Sequence, residues 1–215
     1  MGALPSPCLA FVTDRRRTRE RPFEDVVNAA VSGGVDLVQL REKDLSDSEL
    51  LLLARSLKNV IHDQALFFVN GNVDVALAVK ADGVHLGEDG PAINVVRAQV
   101  TDRLLIGRSV HSVSGALEAE YLGADLLIAG TVFTSASHPA GAVQGISLVE
   151  GIVKVSKLPV LGIGGVNTNN VTSILNTGAS GCAVITAISQ AKDPRQAASD
   201  LKTKMLSAQA KAQSA

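Results

Sequence analysis

The sequence has little cysteine: Cys8 and Cys182 are the only two in 215 residues. They show no metal-ligand spacing and no disulfide framework. A reduced, cytoplasmic setting is the simplest reading. An excess of either charge is also lacking, with 20 Lys and Arg against 21 Asp and Glu and a net charge of −1. A nucleic-acid partner needs a basic surface to neutralise phosphate, and no helix-turn-helix or basic recognition helix is seen. No nucleic-acid partner is therefore expected. No apolar run approaches the ~20 residues of a membrane span, so no membrane association is expected either. The one local basic cluster, Arg15-Arg16-Arg17 with Arg19, reads as a solvated loop, with contact to a substrate phosphate as the alternative.

What is present is a large apolar fraction, 46%, enough for a sizeable core in one domain. Short apolar runs recur at 9–12, 36–40, 65–69, 83–86, 104–106, 125–129, 159–163 and 181–185. They are continuously apolar, as strands buried on both faces are. Helical patterns fall between them. One covers 23–32 and stops at Gly33-Gly34. Another follows Ser46, with Glu49 completing a capping box and Leu50, Leu53, Ala54, Leu57 and Ile61 forming its apolar stripe. The last covers about 194–206. Gly33-Gly34-Val35-Asp36, Lys80-Ala81-Asp82-Gly83, Gly123-Ala124-Asp125 and Gly178-Ala179-Ser180 echo one another, each closing a helix before a strand. Eight such units predict an α/β fold, a single-domain (β/α)8 TIM barrel over 1–207, with 208–215 as a frayed tail. A doubly wound open sheet is the alternative.

On a barrel the chemistry sits after the C-terminal ends of the strands. Gly107-Arg108-Ser109-Val110-His111-Ser112 reads as a loop between the fifth strand and a helix over 113–122. It carries a cation, hydroxyls and an imidazole able to take and give a proton. The competing reading is a His that caps the helix. Gln39, Arg41 and Lys43 alternate at the end of strand two and suit a phosphate or carboxylate. The competing reading is a surface salt-bridge cluster with Glu42 and Asp44. Asn70-Gly71-Asn72 reads as a turn, and Glu88-Asp89 as a turn or a magnesium site. The hydroxyls of Ser135 and Ser137 stand beside His138 after strand six. Gly164-Gly165 and Ile185-Thr186 follow strands seven and eight, where this architecture commonly binds phosphate.

These pieces together resemble the thiamine phosphate synthase family and its TenI-type thiazole tautomerase branch. The resemblance runs from Phe11-Val12-Thr13-Asp14 to Lys192-Asp193-Pro194. Gln39-Leu40-Arg41-Glu42-Lys43, Ala81-Asp82-Gly83-Val84-His85-Leu86-Gly87 and Gly162-Ile163-Gly164-Gly165 carry it. A synthase joins a pyrimidine diphosphate to a thiazole phosphate and needs Mg²⁺ for the diphosphate. Such enzymes usually carry Asn-Asp after strand three, where Asn70-Gly71 stands. A Gly-Gln-x-Asp run is replaced by Gly87-Glu88-Asp89-Gly90, and Thr-x-Thr-Lys by Ser135-Ala136-Ser137-His138. Asn70-Gly71-x-Val73-Asp74, Gly107-Arg108-Ser109-Val110-His111-Ser112 and Gln144-Gly145-Ile146-Ser147-Leu148 look tautomerase-like.

The resemblance therefore implies first a thiazole tautomerase, an isomerase needing no cofactor, with His111 as general acid/base. Asn70, Ser109, Ser135, Ser137, Gly164, Gly165, Ile185 and Thr186 are its candidate substrate-binding residues, with Gln39, Arg41 and Lys43. The alternative is a thiamine phosphate synthase, for which Gln39-x-Arg41-x-Lys43 speaks, with Glu88 or Asp89 recruited for Mg²⁺. A second alternative is a non-catalytic binder of thiazole phosphate. The expected partner is a small phosphorylated thiazole, and the family admits a homodimer.

Overall fold

A computed structural model describes residues 4–135 and 142–213. The strands are β1 Cys8–Val12, β2 Leu37–Leu40, β3 Leu66–Asn70, β4 Gly83–Leu86, β5 Leu105–Val110, β6 Leu126–Gly130, β7 Val160–Ile163 and β8 Gly181–Val184. All pairings are parallel, each strand beside the next, and β8 returns to β1 with Leu9 opposite Cys182. This is the closed (β/α)8 barrel, not the open sheet. The helices are α1 Phe23–Ser32, α2 Asp47–Ile61, α3 Val73–Ala78, α4 Ile93–Val100, α5 Val113–Tyr121, α6 Ile146–Val155, α7 Val171–Leu175, α8 Thr186–Ser189 and α9 Pro194–Gln213. Among the described residues no helix is long and apolar enough to cross a membrane.

The continuous apolar strands now have their reason. On β1, Cys8, Ala10 and Val12 face the barrel interior, while Leu9 and Phe11 pack under the helices. Both faces are dry, so neither set can be polar. The interior is filled by large residues set against small ones. The Phe68 ring lies over Gly83, where an added Cβ would stand 2.4 Å from the ring. The capping box of α2 forms as expected, with Ser46 Oγ accepting from Glu49 N and Glu49 Oε2 accepting from Ser46 N.

The repeated aspartate between helix and strand is a structural device. Asp36, before β2, accepts the Leu9 N–H at 2.7 Å and Lys202 Nζ at 2.6 Å. Asp82, before β4, accepts the Phe67 N–H at 2.8 Å and Lys58 Nζ at 3.3 Å. Asp125, before β6, accepts the Ile106 N–H at 2.7 Å and the Arg97 guanidinium. Each carboxylate thus ties an even strand to the odd strand before it and to a cation from the helical layer. In the fourth repeat Ser180 stands instead, and its carbonyl accepts the Cys8 N–H at 2.8 Å.

Two boundaries differ from expectation. Gly107 to Val110 are not loop: they pair with Leu126 to Ala129, so β5 runs to Val110. Helix α9 runs on to Gln213, into the segment expected to fray from 208, because Ala198, Leu201, Met205 and Ala208 extend one buried stripe at spacings of three and four.

Candidate functional site

A cavity of about 840 Å³ opens at the C-terminal ends of the strands. Its wall includes Gln39, Arg41, Lys43, Asn70, Glu88, Asp89, Ser109, His111, Ser135, Gly164, Gly165, Ile185 and Thr186. Every sequence candidate among the described residues is thereby brought to one place. Ser137 and its neighbour His138 lie outside the described residues.

The β2 end is built by alternation. Gln39, Arg41 and Lys43 turn to the cavity, and Gln39 Nε2 donates to Asn70 Oδ1 at 3.0 Å. The intervening acids serve another partner. Glu42 is buried, accepts from Thr13 Oγ1 at 2.8 Å and pairs with Arg15, while Asp44 pairs with Arg15 at 2.8 Å. The salt-bridge cluster exists, but it is made with Arg15 rather than with Arg41 and Lys43. Burial pulls the Arg41 guanidinium below its ordinary value, against the opposing charges of Asp14 and Glu42. A half-buried cation of this kind favours an anionic ligand. The rest of the basic cluster has structural partners. Arg17 Nε donates to Asp14 at 2.9 Å, and Arg19 donates to the Gln190 carbonyl at 3.3 Å.

After β7, Gly164 and Gly165 have φ of +105° and +62°. An added Cβ would stand 2.5 Å from Thr131 Cγ2 at Gly164 and 2.3 Å from the Thr134 carbonyl at Gly165. Glycine alone lets this backbone lie against the loop that carries Ser135. The side-chain amides of Asn167 and Asn170 both donate to the Gly165 carbonyl, at 3.3 and 3.0 Å. Ile185 and Thr186 open α8 on the neighbouring strand. First-turn N–H groups have no partner within a helix and suit a phosphate.

At the β5 end, His111 Nδ1 lies 2.6 Å from Glu88 Oε2, and both side chains are about half exposed at the cavity wall. Ser112 caps α5 by accepting from Gly115 N at 3.0 Å. The helix-capping role read as the alternative for His111 thus belongs to its neighbour.

His85 was not among the candidates read from the sequence. It sits on β4, is 3% exposed, and its Nε2 is 2.9 Å from Ser109 Oγ, while Nδ1 has no partner. Burial, with Arg108 and Arg41 nearby, pulls the imidazole down to about 3, so it is neutral in the fold. An unpaired lone pair is easier to bury than an unpaired N–H. Nε2–H therefore donates to Ser109, leaving the serine hydroxyl proton for the cavity. The available signal was a histidine in a four-residue strand whose other members are Gly, Val and Leu.

A magnesium ion, implied by the synthase resemblance, is testable on donor chemistry. Glu88 is engaged by His111, which leaves Asp89 as the carboxylate at the wall. Among the described residues no group of three His, Cys, Asp or Glu side chains is assembled for a metal. Mg²⁺ is commonly held by one or two carboxylates with substrate phosphates and water, so Asp89 fits that mode.

The family model described as thiamine monophosphate synthase matches residues 9–188. A thiamine-phosphate synthase of Pyrococcus furiosus is 40% identical over 195 residues, covering 90% of this chain and 92% of that one. One of Roseiflexus is 40% identical over 188 residues, covering 86% and 80%. The solved thiamine phosphate pyrophosphorylase of Pyrococcus furiosus superposes with a TM-score of 0.85 at 39% identity, covering 94% and 96%. A 3-hexulose-6-phosphate synthase at 19% identity and a TM-score of 0.70 shares the fold alone. The chain belongs to the thiamine monophosphate synthase family.

Proposed function

We propose that the chain is a thiamine-phosphate synthase, an enzyme of thiamine biosynthesis. The observation that carries this is the end-to-end likeness, at 40% identity, to the Pyrococcus furiosus relative of that name. It reverses the order expected from the motif departures, which placed the tautomerase first. The cavity supports it with two separate anion grips. Gln39, Arg41 and Lys43 take the diphosphate of the pyrimidine substrate. Gly164, Gly165, Ile185, Thr186 and Ser135 take the phosphate of the thiazole. Held between them, the thiazole nitrogen lone pair forms the new C–N bond at the pyrimidine methylene carbon. The C–O bond to the diphosphate breaks, and pyrophosphate leaves with the electron pair. Arg41 and Lys43 stand where that charge collects, and Ser109, with its hydroxyl proton directed by His85, is a further donor. Asp89, together with the diphosphate, would hold Mg²⁺, which would supply charge neutralisation for the leaving group.

The test is a crossed pair of variants. Arg41→Ala raises KM for the pyrimidine diphosphate about 10- to 100-fold, the ~1.5–3 kcal/mol of a hydrogen bond to a charged group, and leaves KM for thiazole phosphate unmoved. Gly165→Ala does the reverse, because the added Cβ displaces the cradle backbone. Equal effects on both substrates contradict the two-grip assignment.

A specific pair of observations favours a second reading, the thiazole tautomerase. Gly71 stands where the synthase pattern has an acid, and His111 is held by Glu88 at 2.6 Å. Turnover of the thiazole tautomer in chelator, with no thiamine phosphate formed, is its signature.

A further inference from the structure

We infer that Glu88 is the positioning residue for His111, fixing the imidazole with Nδ1 protonated and Nε2 as the atom that meets a ligand. The inference rests on the proton-transfer reading of the site rather than on the synthase reading.

An ionised carboxylate can only accept. At 2.6 Å from Glu88 Oε2, His111 Nδ1 is therefore the donor. In the neutral ring the lone pair then lies on Nε2, since the bond made by one nitrogen sets the state of the other.

The pair is braced from both sides. His111 follows the last residue of β5, Val110, and precedes Ser112, the cap of α5, so its backbone is held between two regular elements. Glu88 lies on the loop after β4. Arg108, on β5, donates from Nη2 to the Glu88 carbonyl at 2.8 Å and from Nη1 to the Pro91 carbonyl at 3.3 Å. A single guanidinium thus fastens the loop bearing the acid to the strand that leads to the base. The other oxygen of Glu88 stands 3.8 Å from where a Cβ on Gly115 would be, over the first turn of α5. The helix macrodipole favours negative charge there.

This arrangement changes the meaning of Arg108 and Glu88 in the sequence. The residue that a metal reading would recruit is spent on orienting the imidazole, and the conspicuous arginine beside the histidine is a clamp on a loop. The proton step it serves is balanced within the substrate: one proton leaves the thiazole and one returns at its exocyclic carbon, with no oxidant or reductant.

The test is the ¹⁵N spectrum of the full chain labelled at its four histidines, with the His111 signals assigned by difference from His111→Gln. The expected result, read at a pH where the His111 ring carries a single proton, is Nδ1 protonated and Nε2 bare, passing to a mixture of tautomers in Glu88→Gln. A wild-type ring protonated at Nε2, or an unchanged ring in Glu88→Gln, overturns the inference. The functional arm is turnover of the thiazole tautomer. Glu88→Gln is expected to lower kcat about tenfold or more at unchanged KM, within the ~10² to 10⁴ that a positioned base contributes. Unchanged kcat in Glu88→Gln overturns the role. If the wild-type chain shows the fixed tautomer but no turnover, the proton-transfer reading fails while the orientation by Glu88 stands.

Discussion

At the residue scale, the buried neutral imidazole of His85 has a measurable consequence. The unfolded chain titrates this group near its ordinary 6.5, whereas the fold holds it at about 3. Between those values the unfolded state takes a proton that the native state refuses. Falling pH therefore favours unfolding: the His85 contribution is complete above pH 6.5 and is lost progressively toward pH 3. Urea unfolding of the wild type is expected to show this acid slope, and His85→Gln, which keeps a donor for Ser109, to show a shallower one. Identical slopes contradict the assignment. The cysteines behave in the opposite sense: burial pushes the Cys182 thiol up to about 12 and Cys8 higher still, so both stay protonated.

Much of this scale was legible in the sequence. Gly164-Gly165 and Gln39-x-Arg41-x-Lys43 are local patterns, and period-two alternation places their side chains. Glu88 beside His111 and His85 beside Ser109 were not legible. They are 23 and 24 residues apart in sequence and meet only because β4 and β5 lie side by side.

At the element scale, the barrel depends on the three aspartates that precede β2, β4 and β6. Asp125→Ala leaves the Ile106 N–H without its acceptor and the Arg97 guanidinium without its counter-charge, though Arg97 keeps the Gly123 and Thr101 carbonyls. The expected loss is about 1–3 kcal/mol of unfolding free energy, the cost of unmaking a partly buried charge-assisted hydrogen bond. A denaturation midpoint within error of the wild type counts against the tie. The sequence showed these aspartates as repeated punctuation between helix and strand. Their hydrogen bonds to strand N–H groups needed the register. Element identities came from the apolar runs, but two ends did not. β5 gains Gly107 to Val110 because β6 supplies ladder partners to residues whose polarity reads as loop. Helix α9 gains about two turns because Ala208 continues a stripe in a segment that looks too small and polar to pack.

At the scale of the whole molecule, eight parallel strands closed β8 to β1 bring loops from the entire chain to one mouth. That closure is what turns scattered polar residues into one cavity wall, in which the two anion grips are proposed. The choice between the chemistries it hosts was not legible in composition or spacing. One cavity presents the Gln39, Arg41 and Lys43 cluster at β2 and the His111–Glu88 pair at β5, and each branch of the family resemblance draws on one of them. The most direct measurement mixes the chain with hydroxymethylpyrimidine diphosphate, thiazole phosphate and Mg²⁺ and follows thiamine phosphate and pyrophosphate together. The account predicts equal amounts of both products, lost when the magnesium is chelated. No thiamine phosphate, beside a working control synthase and with the thiazole tautomer still turned over in chelator, contradicts it.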